Sequence, residues 1–289
     1  MKVQRRNKII IFIGIVFVLI GIVLIYWNIP YSPFESSFHK DMKRRISEIA
    51  INEEVCTQAE VDSLPEAFKR HCKYIGLVGS KKNNAVNVVF HDTKFVFDSN
   101  KGTILDMEYN LWLLCDKPFR SAFCKSSMFG VPFDGIDYCS DDRVGGMKGM
   151  LGKAIEIFDV SNEQMYKAGL ISWLAEGAGV NPSILLSDYV TYEEIDSTHV
   201  KAKIKYNGVE GEGVFSFDEQ GRLLGFESDE RQVEEINGVM TPIGWKAKYE
   251  NYKGKNGVLI PGVMQAIKIY PDKEVVYFDS NNFDIYYYK

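Results

Sequence analysis

Three charged residues in the second half of the chain could form a polar site. Glu176 and Asp196 are acids close to the ends of predicted elements, and Arg231 lies near the end of a predicted strand. If the fold brought them into one cleft, their carboxylates and guanidinium could act together on a substrate. The alternative is a buried Arg–carboxylate pair that holds a helix against a sheet. The sequence alone leaves both interpretations open.

Residues 145–154 at first look like a phosphate-binding loop, because they contain four glycines and end in Gly-Lys-Ala. A Walker loop needs Gly, four residues, and then Gly-Lys-Ser or Gly-Lys-Thr. Here Met147 occupies the first position and Ala154 the last, so no hydroxyl is available for magnesium. We therefore predict a flexible hairpin or a bulge, in which Met147, Met150 and Leu151 could form a pliable apolar lip.

The remaining reactive residue types give no enzyme motif. The four histidines show no helical pairing, and neither His-Glu-x-x-His nor Gly-x-Ser-x-Gly occurs. The cysteines are odd in number and contain no Cys-x-x-Cys, which argues against a disulfide scaffold or a zinc ribbon. The sequence thus predicts no metal and no cofactor. The histidines are His39, His71, His91 and His199, and the cysteines are Cys56, Cys72, Cys115, Cys124 and Cys139.

A membrane segment is the clearest feature of the chain. Ile9 to Trp27 contains nineteen residues without a charge, just enough to cross a bilayer as a helix. Lys2, Arg5, Arg6 and Lys8 precede it, and a basic flank favours the cytoplasm. The bulky residues that follow the segment argue against a cleaved signal peptide. We expect a single-pass anchor with the large domain outside the cytoplasm.

The rest of the chain is acidic and long enough for one large domain or two small ones. Lys and Arg number 34 against 39 Asp and Glu, and four of the basic residues precede the membrane segment. This balance argues against nucleic acid as a partner. We predict a cytoplasmic tail at 1–8, the anchor at 9–27, a linker and stalk helix at 28–62, and a β-rich domain at 63–289.

Helices are predicted in three places after the anchor. Residues 36–50 carry apolar side chains at helical spacing, and this helix either lies on anionic headgroups or packs on the domain. A second helix should begin at Ser63-Leu64-Pro65-Glu66, capped by Ser63, and stop at Gly76. A third runs from Ser161 to about Leu186, with Ser161 and Gln164 as a capping box.

Strands dominate the remaining sequence. Apolar and polar residues alternate at 86–97, and further strands are predicted at 109–115 and 155–158. The last hundred residues repeat short apolar runs between turn signals such as Asn207-Gly208, which indicates an antiparallel meander. Gly211, Gly213 and Gly225 inside strand patterns suggest bends or bulges that curve the sheet. We predict an α+β fold: a curved, mostly antiparallel half-barrel with a helical insertion, following a transmembrane helix.

Short motifs follow one another from Leu64 onwards: Leu64-Pro65 with Arg70, Gly76-Leu77-Val78-Gly79, Leu174-Ala175-Glu176, Pro182, Leu185-Leu186, Ile195-Asp196, Phe215-Ser216-Phe217-Asp218, Gly221, Arg231, Pro242, Trp245, Tyr249 and Ile260-Pro261. Their order resembles an uncharacterised bacterial family, a domain of unknown function, over Leu64 to the carboxyl terminus. The fold of that family is similar to the lipoprotein-carrier (LolA/LolB-like) half-barrel, which holds acyl chains in its concavity. Two positions depart from the family pattern: Asn181 replaces an aromatic residue, and a tryptophan expected after Ile260-Pro261 is absent.

Together these observations favour a membrane-anchored extracytoplasmic domain that binds a hydrophobic ligand, a lipid or an acyl chain. One alternative is an enzyme of unknown reaction that uses the three charged residues introduced first. Another is a structural or protein-interaction module of the cell envelope. Ligand contacts are predicted at Trp173, Glu176, Leu185, Asp196, Arg231 and Trp245.

Overall fold

The computed structural model describes residues 2–98, 102–234 and 240–288. Most helices of this part of the chain precede the strands, and one long helix interrupts them. The helices are α1 (Lys2–Asn28), α2 (Pro33–Glu48), α3 (Gln58–Asp62), α4 (Glu66–Ile75), α5 (Glu163–Val180) and a 3₁₀ helix (Pro182–Leu186).

α1 contains the predicted membrane segment. Among the described residues it is the one helix long and apolar enough to cross a membrane. Its large apolar side chains from Ile9 to Ile25 are exposed, and only Tyr26 and Trp27 in its last turn approach the domain. α1 therefore projects from the domain instead of contributing to its core.

α2 packs on the domain, as one of the two predicted alternatives requires. Ser32 caps it by accepting a hydrogen bond from the Glu35 backbone N–H. Phe38 and Met42 are buried against Phe123 and its neighbours, and they form a small core on the outer face of the sheet. Because this apolar face is already covered, α2 has none to lay on a membrane.

The strands form one highly curved antiparallel sheet and a separate two-stranded ribbon, β12–β13. The order in the sheet is β6-β5-β4-β3-β2-β1-β15-β14-β11-β10-β9-β8-β7, and β16 also pairs with β1. This confirms the predicted α+β class with an antiparallel half-barrel. The strands are β1 (Ala85–Asp98), β2 (Thr103–Leu114), β3 (Phe119–Met128), β4 (Val131–Cys139), β5 (Gly145–Leu151), β6 (Ile155–Ser161), β7 (Val190–Glu194), β8 (His199–Tyr206), β9 (Val209–Phe217), β10 (Leu223–Glu234), β11 (Met240–Glu250), β12 (Lys253–Lys255), β13 (Val258–Ile260), β14 (Val263–Ile269), β15 (Glu274–Ser280) and β16 (Phe283–Tyr288).

α5 lies inside the curl and packs against strands from both halves of the sheet, β3–β5 on one side and β8–β11 on the other. Glycines allow this close approach: a Cβ on Gly145 would lie 2.2 Å from the Tyr166 Cα, and one on Gly169 would lie 2.4 Å from the Cys139 Cβ. Twelve residues of α5 are buried. The concave side of the sheet is called the lumen below, and α5 lies in it.

The two ends of the strands differ in what they contact. Consecutive hairpins turn at alternate ends, so the β3–β4, β5–β6 and β14–β15 turns share one end with the last described residues of β1 and the first of β2. We call this the anchor end, because α1 reaches the sheet there. The indole of Trp27 lies against Gly152, and Lys153 Nζ donates to the Ile29 carbonyl at 2.6 Å. The β8–β9 turn would also fall at the anchor end by alternation, but the curl of the sheet brings its Asn207 to the Asp141 carbonyl in the β4–β5 turn.

Several local predictions are confirmed. Asn207-Gly208 forms the two-residue turn between β8 and β9, with φ of 48° and 78°. α4 ends at Gly76 in a left-handed conformation with φ of 73° and buries its predicted apolar face. A register irregularity between β9 and β10 lies at Gly225. At Gly211 and Gly213, where bends or bulges were also predicted, the pairing with β8 is regular. These two glycines allow close packing instead, since added Cβ atoms would meet Ile171 and Phe226 at 2.8 and 2.3 Å.

Other local predictions are wrong or incomplete. Ser63 caps the end of α3 and not the start of α4, which begins after Pro65 without a side-chain cap. α5 starts one residue later than predicted, because the Asn162 side chain accepts from the Met165 N–H at 2.8 Å. The glycine-rich segment is strand β5 plus a tight turn at Gly152, with a bulge beside Met150. β3 and β4 were not predicted.

Candidate functional site

Arg120 of β3 is the centre of a polar cluster in the lumen. Pairing across β2, β3, β4 and β5 places Arg120 on the face that α5 covers. Its Nε and Nη2 donate to the two carboxylate oxygens of Glu176 on α5, at 2.6 and 2.9 Å. Nη1 donates to Asp137 Oδ2 at 2.7 Å, and Nη2 also donates to the Tyr109 hydroxyl at 2.6 Å. One guanidinium thus joins α5 to three strands.

The electrostatics of this group keep the arginine charged. Burial alone would lower the pKa of Arg120, but the charges of Asp137 and Glu176 raise that pKa well above its ordinary value. Burial raises the pKa of Tyr109, so its hydroxyl stays protonated. The Arg120 side chain is 4% exposed, whereas Glu176 is 18% and Asp137 35% exposed. Solvent therefore reaches the carboxylates while the guanidinium is buried.

Arg231 organises a second group on the opposite wall. Its Nη1 donates to the Ser172 hydroxyl on α5 at 2.7 Å. Its guanidinium carbon lies 4.4 Å from the centre of the Trp245 ring, a cation–π contact. The indole N–H of Trp245 in turn donates to the Tyr277 hydroxyl at 2.8 Å. Ser172 and Glu176 are one helical turn apart, so α5 roofs both groups.

The two groups face each other across the lumen. Burial raises the pKa of Tyr277; the charge of Arg231 opposes this rise, and the charges of Asp137 and Glu176 add to it. In a flat sheet, β4 and β15 would be about 19 Å apart, at about 4.8 Å per strand. The charge of Asp137 can raise the pKa of Tyr277 because the sheet curls and brings the two strands closer. α5 joins the two walls, since Glu176 accepts from Arg120 and Ser172 accepts from Arg231. We call the combined set the lumen cluster: Tyr109, Arg120, Asp137, Ser172, Glu176, Arg231, Trp245 and Tyr277.

Aromatic side chains line the lumen between this cluster and the anchor end. The rings of Phe95 and Tyr277 are 5.7 Å apart, and those of Tyr109 and Phe278 are 5.3 Å apart. Phe95, Tyr277 and Phe278 are half-buried, and Phe97 is exposed beyond them. The lumen is therefore polar next to α5 and apolar towards the anchor end, which is called the mouth of the lumen below.

Two buried hydroxyls on this wall lack hydrogen-bond partners among the described residues. They are Thr93 Oγ1 of β1 and Ser280 Oγ of β15. The register that pairs Lys94 with Asp279 places Thr93 and Ser280 opposite each other. A buried hydroxyl without a partner costs free energy, so this wall offers unused hydrogen-bonding capacity.

The structure brings together only part of the predicted ligand-binding set. Glu176, Arg231 and Trp245 belong to the lumen cluster. Trp173 is fully buried, and its indole N–H donates to the Leu114 carbonyl at 2.7 Å. Leu185 is buried in the core beside Tyr192, which donates to its carbonyl.

Asp196 lies apart from the other predicted site residues. It occupies the β7–β8 turn, where its carboxylate is half exposed and accepts from Thr198 and His199. Glu176 pairs with Arg120 and not with Arg231. The predicted trio of Glu176, Asp196 and Arg231 is therefore not assembled, although a buried Arg–carboxylate pair does pin helix to sheet.

Sequence reasoning missed five members of the lumen cluster, and a weak signal existed for two of them. Arg120 alternates with Ala122 on the inward side of β3, which is an unusual position for a charge. Ser172 stands one turn from Glu176 in an otherwise apolar stretch of α5. Asp137, Tyr109 and Tyr277 gave no such signal, because a polar tip on a strand usually faces solvent.

Two surface cavities lie at the other end of the sheet, beside the 3₁₀ helix. Their volumes are about 480 and 350 Å³. They share Asn83 and Ser183, and polar groups such as Glu54 and Lys82 line the larger one. Neither cavity includes a member of the lumen cluster, so they are separate from it.

Residues 54–280 match the family described as "Family of unknown function (DUF6544)". The match spans most of the chain, and the chain belongs to this family. The resemblance to an uncharacterised family inferred from the order of motifs is confirmed, although the match begins nine residues before the predicted domain. No curated protein matches the chain.

Three solved structures share a distant likeness. An outer membrane lipoprotein-sorting protein domain from Vibrio parahaemolyticus has 8% identity and a TM-score of 0.35, over 69% of this chain and 85% of that one. A LolA superfamily protein from Nitrosomonas europaea has 11% identity and a TM-score of 0.33, over 80% and 94%. A DUF1329 family protein from Desulfovibrio piger has 9% identity and a TM-score of 0.39, over 81% and 94%. At these TM-scores the likeness carries no inference about function.

Proposed function

We propose that the chain is a membrane-anchored, extracytoplasmic domain that binds a lipid or another acyl-chain amphiphile in its lumen. The observation that supports this is the division of the lumen into a charged part beneath α5 and an aromatic part towards the anchor end. An amphiphile has the same division. Half-buried rings on a concave wall, with a few convergent polar groups, are typical of a site for such a ligand.

In this arrangement the acyl chain would lie against Phe95, Tyr277 and Phe278. The head group would meet Asp137 and Glu176, the carboxylates that solvent reaches. Two arginines and two carboxylates leave the lumen cluster without net charge. Both carboxylates pair with Arg120, while Arg231 contacts a hydroxyl and an aromatic ring. This arrangement favours a zwitterionic head group, which carries both signs of charge, over a strongly anionic one.

Photolabelling tests the ligand site directly. The full chain, reconstituted in vesicles with phosphatidylcholine that carries a diazirine in its acyl chain, is irradiated and digested. We expect labelled peptides from residues 95–97 and 276–278, and competition by unlabelled phosphatidylcholine. Labels confined to α1 would show that the acyl chain does not enter the lumen.

A matched pair of variants links the labelling to the lumen cluster. Arg231→Met removes a cluster cation and should lower labelling at 276–278 several-fold. Arg222→Met serves as the control, because Arg222 is exposed at the opposite end of the sheet and pairs with Asp218. Equal labelling of both variants would show that the head group does not bind at the lumen cluster.

The proposed topology places Met1 to Lys8 in the cytoplasm and Tyr31 to Lys289 outside. The dense basic flank directly before the span supports it, because charges nearest the span weigh most during insertion. Protease added to intact cells, after permeabilisation of any outer wall, should digest the large domain and spare a tag fused to Met1. A large domain that survives until the membrane is broken would refute this topology.

No catalytic assignment is proposed. The enzyme alternative depended on Glu176, Asp196 and Arg231 meeting in one cleft, and Asp196 lies in an exposed turn instead. The lumen cluster has carboxylates and tyrosines, but its tyrosine pKa values are raised by burial, so neither phenol is an available base at neutral pH.

A further inference from the structure

The anchor end of the domain exposes a group of large apolar side chains. Phe129, at the tip of the β3–β4 turn, is 101% exposed, and its neighbour Gly130 leaves the tip uncovered. Isolated exposed apolar residues are ordinary, but a group at one end of a molecule marks an interaction surface. The group, called the apolar rim below, consists of Phe97, Ile104, Phe129, Ile155 and Ile157.

The opposite end of the sheet has a different character. Its turns, at 115–118, 140–144 and 218–222, contain acids, lysine and arginines, and several of these side chains form ion pairs. Asp141, for example, binds both Lys117 and Arg45. Val144 and Ile195 are also exposed at this end, but they stand among charged turn residues. The largest exposed apolar side chains of the strand ends, such as Phe129, lie at the anchor end.

The path of the chain fixes the anchor end close to the membrane. Trp27, the interfacial residue that closes the span, lies against Gly152 in the β5–β6 turn. Lys153 Nζ donates to the carbonyls of Ile29 and Tyr31, at 2.6 and 3.3 Å. The first residues outside the span are thus tied to the same turn that leads into Ile155 of the apolar rim.

α2 supports the same orientation. It starts near the anchor end, where Ser32 donates to Asp134 of β4 at 2.7 Å. It finishes near the opposite end, where Arg45 donates to Asp141 at 3.0 Å. The chain therefore enters the domain at the anchor end and runs away from it, so the bilayer that holds α1 lies below the apolar rim.

We infer that the apolar rim docks on the bilayer that α1 crosses, at the boundary of headgroups and acyl chains. The inference rests on the proposed function only in taking α1 as a retained anchor. It deepens that function, because docking turns the aromatic mouth of the lumen towards the membrane. An acyl chain could then pass between bilayer and lumen without crossing water, and the membrane itself would supply the ligand.

Quenching by brominated lipid tests the inference in the full chain. Phe129→Trp places an indole on the rim, and Ile195→Trp places one at an exposed apolar position in the β7–β8 turn, outside the rim. The chains are reconstituted in vesicles of dibrominated phosphatidylcholine, and the emission of the parent chain is subtracted. We expect the indole at 129 to be quenched about threefold or more relative to the indole at 195, as insertion of a few ångströms requires.

Each other outcome has a separate meaning. Equal and weak quenching at 129 and 195, in chains that float with the vesicles, overturns the docking of the rim. A blue-shifted but unquenched indole at 129 assigns the rim to another protein surface, such as a second copy, and also overturns it. A chain that does not float with the vesicles refutes the retained anchor, and with it the proposed function.

Discussion

Removing one partner of the buried ion pair should show how Arg120 holds α5 in the lumen. Arg120→Met leaves Glu176 and Asp137 close together without a counter-charge. Breaking a buried pair costs about 3–5 kcal/mol. Both carboxylates are partly exposed, at 18% and 35%, so water restores part of their solvation. We therefore expect the free energy of unfolding to fall by about 3 kcal/mol, at the lower end of that range.

Glu176→Gln should cost less. The amide keeps one oxygen that can accept from Arg120, and the arginine retains Asp137 and Tyr109 as partners. Of the two charge-assisted bonds from Arg120, the variant keeps one as a bond to a neutral oxygen and loses the other, worth about 1.5–3 kcal/mol. Tyr109 remains as an acceptor for Nη2, which limits the net loss. We expect a net loss of about 1–2 kcal/mol.

The double variant separates a specific pair from two independent effects. Once Arg120 is Met, replacing Glu176 removes a carboxylate that repels Asp137, so the second change should cost nothing further. The coupling energy should therefore be about 1–2 kcal/mol. Denaturant unfolding of the full chain in detergent, followed by the fluorescence of the buried tryptophans, measures all four corners of the cycle.

A matched control lies on the same helix. Glu163 in the first turn of α5 is 66% exposed and pairs with the exposed Arg143. Glu163→Gln should cost no more than about 1 kcal/mol, because exposed pairs and helix-end charges contribute little. If Glu176→Gln and Glu163→Gln have equal effects and the cycle shows no coupling, the reasoning about Arg120 is wrong.

Two further predictions concern the core. His71 is buried, donates from Nδ1 to the Gly221 carbonyl, and has its pKa lowered by burial to about 4. Between pH 6.5 and 4 the unfolded chain takes up a proton that the folded chain does not, so the free energy of unfolding should fall by about 3 kcal/mol. His71→Gln should abolish this fall; an unchanged pH profile would contradict the assignment. Gly169→Ala should lower the stability by about 1–3 kcal/mol through its clash with Cys139. Gly254→Ala, with nothing within 4 Å of its Cβ, should have little effect, and equal thermal midpoints for the two would refute the packing argument.

Local chemistry made part of this fold predictable. The Asn207-Gly208 turn, the left-handed Gly76 and the apolar face of α4 depend on residues within a few positions of each other. The antiparallel class followed from alternation and turn spacing for the same reason. Cap positions were less secure, because Ser63 can cap the end of one helix as readily as the start of the next.

The site was less predictable, because its contacts are long-range. Arg120 and Glu176 are 56 positions apart, and Arg231 and Ser172 are 59 apart. Which arginine pairs with which carboxylate depends on the curl of the sheet and on where α5 enters it. The sequence showed that a buried Arg–carboxylate pair was plausible, but the partner of Glu176 required the pairing of β2, β3 and β4.

Burying the charges of the lumen cluster costs desolvation free energy, and this cost is informative about the role of the cluster. Apolar side chains of similar volume often stabilise a core as well as a buried ion pair, and without its desolvation cost. The neighbouring wall already contains such packing around Phe90, Tyr109 and Phe278. The charges lie next to α5, where the apolar lining stops. Solvent reaches two of them, Asp137 and Glu176. Under the proposed function, this polar boundary would set how far an acyl chain advances along the apolar lining and where its head group stops. Stability alone does not require that placement, whereas the proposed binding of an amphiphile does.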